Sequence, residues 1–233
     1  MTHEKKPRRL GILGGSFDPV HNGHLGLAKS ILTMLSLDSV LFVPVCISPH
    51  KLEQTLADPQ HRLAMLQLAT RSEPAFAVTD LEIRTGGISY TVDTLERLHT
   101  LHPESELFLI LGWDAFREFN AWKNPEKILE LCHVVVATRP GYGDGRPEHF
   151  PAQPAFANFE RCGEGEPADA LRFRNRATGR QLAFMQIDPV AVSASDIRQK
   201  VLRGAPIKNL LPSSVEHYII EHRLYSVQPR PGI

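Results

Sequence analysis

Apolar residues along this chain alternate between short solid runs and stretches with helical spacing. Residues 10–13 form the first run and end at Gly14 and Gly15. A short apolar run stopped by turn residues predicts a buried strand. From Asn22 to Leu35 the spacing changes: Leu25, Ala28, Leu32 and Leu35 share one helical face, with Ile31 beside them. The run at 40–45 predicts a second strand. Asp58-Pro59 then offers an N-cap followed by proline at the first helical position. Further strands are predicted at 76–79, 107–111 and 134–137, and Val92, Leu95 and Leu98 mark a helix before the second of these.

Strands alternating with helices imply parallel pairing, and right-handed crossovers put helices on both faces. The expected class is therefore α/β, a doubly wound parallel sheet. Residues 141–180 break the pattern. They are rich in Gly, Pro and charge, and read as a surface insertion with a hairpin near 171–184. A strand resumes at 182–187 and a helix follows at 195–202. Ser213 with Glu216 reads as a capping box for a last helix. The whole chain, 1–233, is expected to be one domain with a small C-terminal helical portion at 193–225.

Composition narrows the partners. Lys+Arg and Asp+Glu stand at 26 each, whereas proteins that grip nucleic acid usually carry a basic excess. A small anionic ligand remains open, because a few local charges hold it. Cys46, Cys132 and Cys162 have no metal-ligand or disulfide spacing and are expected as reduced thiols. No apolar run reaches membrane length, and no apolar signal core follows the basic segment 1–9. Cytoplasm is the expected location, without nucleic-acid or membrane partners; a homo-oligomer stays open.

The strongest chemical signal is Gly14-Gly15-Ser16-Phe17-Asp18-Pro19-Val20-His21-Asn22-Gly23-His24, between the first strand and the first helix. Ligands of open α/β sheets bind at strand C-termini, where a helix N-terminus offers free N–H groups to phosphate. Two glycines let the backbone approach a ligand. His21 and His24, three apart, lie on one helical face. The stretch has neither the Gly-x-Gly-x-x-Gly order nor a Walker Gly-Lys-Ser/Thr. A simpler reading, a turn with one capping and one solvent-facing histidine, stays open on these residues alone.

The stretch resembles the signature of the nucleotidyltransferase superfamily that carries a His-x-Gly-His motif. Val192-Ser193-Ala194-Ser195-Asp196-Ile197-Arg198 resembles that superfamily's Ile-Ser-Ser-Thr-x-Ile-Arg motif, with Ala194 in place of a serine and Ser195 in place of threonine. Ser48-Pro49-His50-Lys51, Tyr90-Thr91-Val92-Asp93-Thr94-Leu95, Leu111-Gly112-Trp113-Asp114, Trp122 and Arg139-Pro140-Gly141 extend the likeness. Together they are similar to bacterial nicotinate mononucleotide adenylyltransferase.

The resemblance implies a Rossmann-like fold and an adenylyltransferase that joins ATP to nicotinate mononucleotide, giving deamido-NAD and pyrophosphate in NAD biosynthesis. It implies that His21, His24 and Arg198 act on the ATP phosphates. Gly14, Gly15, Ser16, Phe17, Gly112, Asp114 and Ser195 would bind ATP. Lys51, Thr91, Trp122 and Arg139 would bind the mononucleotide, Trp122 by stacking. Mg²⁺ is expected as cofactor, held mainly by substrate phosphates, with no protein metal ligands. Each residue has a plainer alternative: Trp122 as a packing aromatic, Asp114 as a helix cap, Lys51 as a solvated loop lysine. Other acceptors, such as nicotinamide mononucleotide or phosphopantetheine, and a non-catalytic nucleotide sensor are the competing readings.

Overall fold

A computed structural model describes residues 8–49, 56–138, 154–162, 170–188 and 190–226. The elements in chain order are β1 (Arg8–Gly15), α1 (Asn22–Met34), β2 (Ser39–Pro44), α2 (Pro59–Thr70), β3 (Phe76–Val78), α3 (Leu81–Thr85), α4 (Thr91–Leu101), β4 (Ser105–Gly112), α5 (Trp113–Arg117), α6 (Pro125–Leu131), β5 (His133–Thr138), β6 (Phe159–Arg161), β7 (Leu171–Asn175), β8 (Gln181–Gln186), α7 (Ala194–Leu202) and α8 (Ser213–Glu221). The eight strands form one sheet in the order β3-β2-β1-β4-β5-β8-β7-β6. The five pairings from β3 across to β8 are parallel. β7 pairs antiparallel with both β8 and β6.

This order explains the location of the site. From β1 the chain winds outward through β2 and β3, then returns to lay β4 and β5 on the other side of β1. The crossovers diverge between β1 and β4, and a crevice opens there at the strand C-termini. Gly14 and Gly15 end β1 and Gly112 ends β4, so the crevice is lined by strand ends.

Two apolar cores cover the faces. One packs α4 and α6 on the sheet through Val92, Leu95, Leu98, Ile128 and Leu129. The other packs α1, α2, α7 and α8 through Ala28, Ile31, Met65, Ile197 and Val215. All six residues of β2 are buried, as a strand covered on both sides must be. Asp58 caps α2 as expected, its carboxylate accepting the Gln60 N–H at 2.8 Å.

Several expectations need correction. The segment 141–180, read as a surface insertion, contributes core: Phe156, Phe159 and Phe173 are buried against the α4–α6 side. The hairpin near 171–184 is present as β7–β8, and β6 adds a further strand. The parallel sheet thus acquires an antiparallel edge, because a short return allows only antiparallel pairing. The last helix is not closed by a Ser213 capping box. Its N-cap is Pro212, without a side-chain cap bond; Ser213 is already the first helical residue, too far in to accept the first-turn amides. No helix of the described residues is long and apolar enough to cross a membrane.

Candidate active site

Two cavities meet in the crevice. The first, about 500 Å³, runs from Gly14, Gly15 and Ser16 to Thr91 and Trp122. The second, about 680 Å³, is walled by His21, His24, Gly112, Ser195 and Arg198. Asp114 and Ala115, in the first turn of α5, line both. The residues expected to hold ATP phosphates therefore share one cavity, and the two expected to cradle a pyridine share the other. Gly14, Gly15 and Ser16, expected with ATP, open onto the first cavity, and Asp114 onto each.

The histidines are built by the start of α1. His21 is its N-cap residue, in extended conformation, and the two rings stack with centroids 3.8 Å apart. Gly23 leaves room for that stack. A Cβ there would lie 3.0 Å from His21 Nδ1 and Cε1 and 3.1 Å from Val192 Cγ1. Phe17, 2% exposed, abuts His24 edge-on at 5.0 Å. It serves the site from the core, with its backbone at positive φ of 47°.

The His21 N–H donates to His24 Nδ1 at 3.3 Å. An accepting Nδ1 leaves the proton of a neutral ring on Nε2, which sets His24 up as a donor. Burial pushes the His21 imidazole down to about 4, so at neutral pH it is uncharged. Without ligand, then, His21 brings a hydrogen-bonding ring rather than a cation, and fixed positive charge in this cavity comes from Arg198 and the helix N-termini.

Arg198 is held from two directions. Its Nη1 donates to the Asp18 carbonyl at 2.6 Å and its Nη2 to Ser195 Oγ at 3.3 Å. α7 begins with Ser193 as N-cap, accepting the Asp196 N–H; Ser195 is a first-turn hydroxyl beside the arginine. Asp18, 1% exposed, accepts from Tyr225 Oη at 2.7 Å and from the Ala57 N–H at 3.2 Å. The C-terminal turn is thereby tied to the first motif.

Arg62 is the main residue the sequence reading missed. It is 1% exposed and donates to the Ala57, Ser16, Val45 and Cys46 carbonyls at 2.8–3.0 Å. It fastens the loop after β1 to the loop after β2. Its sequence signal is weak but real: Arg62, Met65, Leu66 and Ala69 have the spacing of one buried α2 face.

At the far end of the first cavity, Trp122 packs on Phe119 with centroids 5.4 Å apart. Lys123 pairs with Asp93 at 2.8 Å and lies over the Tyr90 ring, fixing the Trp122 segment to the start of α4. Thr91 opens that helix. Glu82, buried on α3, also lines this cavity. Lys51 and Arg139 lie outside the described residues.

Two histidines, His21 buried and His133 half-buried, give the fold a pH dependence. Burial also pushes His133 down to about 4, with Arg180 and Arg9 adding to the shift. Unfolded, His21 and His133 would titrate near 6.5. Between 6.5 and 4 the unfolded chain binds protons that the folded chain refuses. Stability from these groups is therefore lost as pH falls through that window, on the order of 1–3 kcal/mol each. Glu82, whose carboxyl is raised by burial, works in the opposite sense. Comparison with His133→Gln isolates the histidine part: wild type should lose more thermal stability than the variant between pH 7 and pH 5. Parallel losses would refute the assignment to His133.

Comparisons with known proteins fit this architecture. The family model described as cytidylyltransferase-like matches residues 12–200. A protein of Thermoanaerobacter sp. (strain X514) named "Probable nicotinate-nucleotide adenylyltransferase" is 36% identical, over 97% of this chain and 98% of its own. One of Desulfatibacillum aliphaticivorans with the same name is 40% identical, over 93% and 99%. In fold, the chain matches a Plasmodium falciparum nicotinic acid mononucleotide adenylyltransferase solved with NaAD, with TM-score 0.69, 19% identity and coverage of 94% and 97%. With two strand-end cavities, paired histidines and near full-length relatives in agreement, the chain belongs to the cytidylyltransferase-like family and, within it, to the nicotinate-nucleotide adenylyltransferases.

Proposed function

We propose that this protein transfers the adenylyl group of ATP to the phosphate of nicotinate mononucleotide, releasing pyrophosphate and forming deamido-NAD. The observation that carries this reading is the meeting of the two cavities at Asp114 and Ala115. Triphosphate in the second and pyridine nucleotide in the first would bring the acceptor phosphate to the α-phosphorus.

The chemistry needs little else. A phosphate monoester has its second pKa near 6 and is mostly dianionic at neutral pH, so it attacks without a general base. Its oxygen bonds to the α-phosphorus as the bond from that atom to the pyrophosphate oxygen breaks, and pyrophosphate carries away the electron pair. The protein's task is to align two anions and stabilise charge on the departing group. His24 Nε2–H, His21 and Arg198 are the groups for it. Mg²⁺ would neutralise phosphate charge. The ion would be carried mainly on substrate oxygens and water.

The test is pyrophosphate release from ATP with nicotinate mononucleotide, nicotinamide mononucleotide or phosphopantetheine, with and without EDTA. Release that favours nicotinate mononucleotide and stops in EDTA is expected. ATP binding without release for every acceptor would point to a nucleotide sensor instead. Trp122→Ala should raise KM for the mononucleotide about tenfold, the scale of one lost stacking contact, and leave KM for ATP nearly unchanged. Equal rises for both substrates would argue against stacking.

A further inference from the structure

Tyr225 lines neither cavity, yet its hydroxyl reaches the first motif from the far end of the chain. It follows α8 and donates to Asp18 Oδ1 at 2.7 Å. The same oxygen accepts the Ala57 N–H at 3.2 Å. Burial, and after it the Asp18 carboxylate, push the Tyr225 phenol up, so the phenol keeps its proton and stays a donor.

Asp18 in turn faces Arg198 with two acceptors. Its carbonyl takes an Nη1 proton at 2.6 Å, and its Oδ2 lies 3.8 Å from the same Nη1. Oδ2 accepts no hydrogen bond, so its pull on the guanidinium is by charge. A second cation, Arg62, also feels this carboxylate, but Arg62 is fixed independently by four carbonyls at 2.8–3.0 Å. Arg198 has no such frame. Among the described residues its other hydrogen bond is to the Ser195 hydroxyl at 3.3 Å, and its side chain is 29% exposed. The direction of Arg198 therefore depends on Asp18. The direction of Asp18 depends on the two donors that hold Oδ1 and turn Oδ2 toward the arginine.

We propose that Tyr225 is a positioning residue: by fixing the Asp18 carboxylate it aims Arg198 at the departing pyrophosphate. This rests on the reading of Arg198 as a contact to that group. A guanidinium has five donors, and the bonds to Asp18 and Ser195 leave others for phosphate oxygens. Pyrophosphate gains its charge as the bond to the α-phosphorus breaks, so a misdirected Arg198 costs turnover more than ATP affinity.

The test is a double-mutant cycle on the full chain, with kcat referred to folded protein from melting curves. Tyr225→Phe removes the hydroxyl and keeps the ring. It should lower kcat about tenfold, within the range for directly coupled groups, and leave KM for ATP and for the mononucleotide within about twofold of wild type. Pyrophosphate, which carries the full charge, should bind it about tenfold more weakly by calorimetry. In an Arg198→Gln background the same substitution should change kcat and pyrophosphate affinity less than twofold. Asp18→Asn can accept the same two hydrogen bonds without the charge, and should repeat the pattern. Near-normal kcat and pyrophosphate affinity in Tyr225→Phe would overturn the proposal. So would equal losses with and without Arg198, which would make Tyr225 a brace for the fold or for Arg62. Wild-type turnover and pyrophosphate affinity in Arg198→Gln alone would sink the reading of Arg198 itself, and the Tyr225 role with it.

Discussion

Replacing His24 with alanine is expected to lower kcat by about 10²–10³-fold, the scale of one lost transition-state donor. The ring is half-buried, at the start of a helix whose packing rests on Ala28 and Ile31, so the variant should remain folded. Its Nδ1 accepts the His21 N–H, so the proton of a neutral ring is on Nε2. Pyrophosphate gains charge only as the bond to the α-phosphorus breaks. A donor placed on that charge therefore acts more on the transition state than on bound ATP. Hence kcat should fall far more than KM for ATP rises. Steady-state kinetics on a variant with unchanged thermal denaturation checks this, and near-normal turnover would remove His24 from the chemistry.

His24 also shows which parts of the site a sequence can disclose. Its spacing from His21, the glycines before it and the strand-to-helix transition are all local, and local order is what periodicity and turn chemistry report. The same holds for the parallel strands and for Asp58 as a cap. What stayed hidden depends on distant partners. Asp18 lies inside the first motif, but its contacts are Tyr225 and Arg198, far along the chain. Glu82 reads as one charge in a polar stretch until Thr94 and Tyr90 fold over it. α3, α5 and α6 span five, five and seven residues, too short for a helical period to emerge. Phe156, Phe159 and Phe173 give no core signal in a Gly- and Pro-rich stretch because their core is completed by α4 and α6.

Arg62 is the extreme case of such hidden dependence, and its removal should have the largest effect on stability. Arg62→Met is expected to destabilise the fold by about 3–5 kcal/mol, out of a total near 5–15 kcal/mol for a domain. Methionine fills much of the space but donates nothing. Four carbonyls, on Ser16, Val45, Cys46 and Ala57, would lose their donors inside the protein. Asp18, whose charge also favours the Arg62 cation, would lose a buried positive neighbour. Arg62→Lys supplies a charge without the planar fork and cannot span four acceptors, so it should fall between wild type and Arg62→Met. Urea denaturation of the three proteins orders them. Because Ser16 lines the first cavity, the lysine variant should also bind the mononucleotide more weakly than its remaining stability would suggest. A loss below about 1 kcal/mol for Arg62→Met would mean that the two loops hold their positions without the guanidinium, and that its four hydrogen bonds are dispensable to the site.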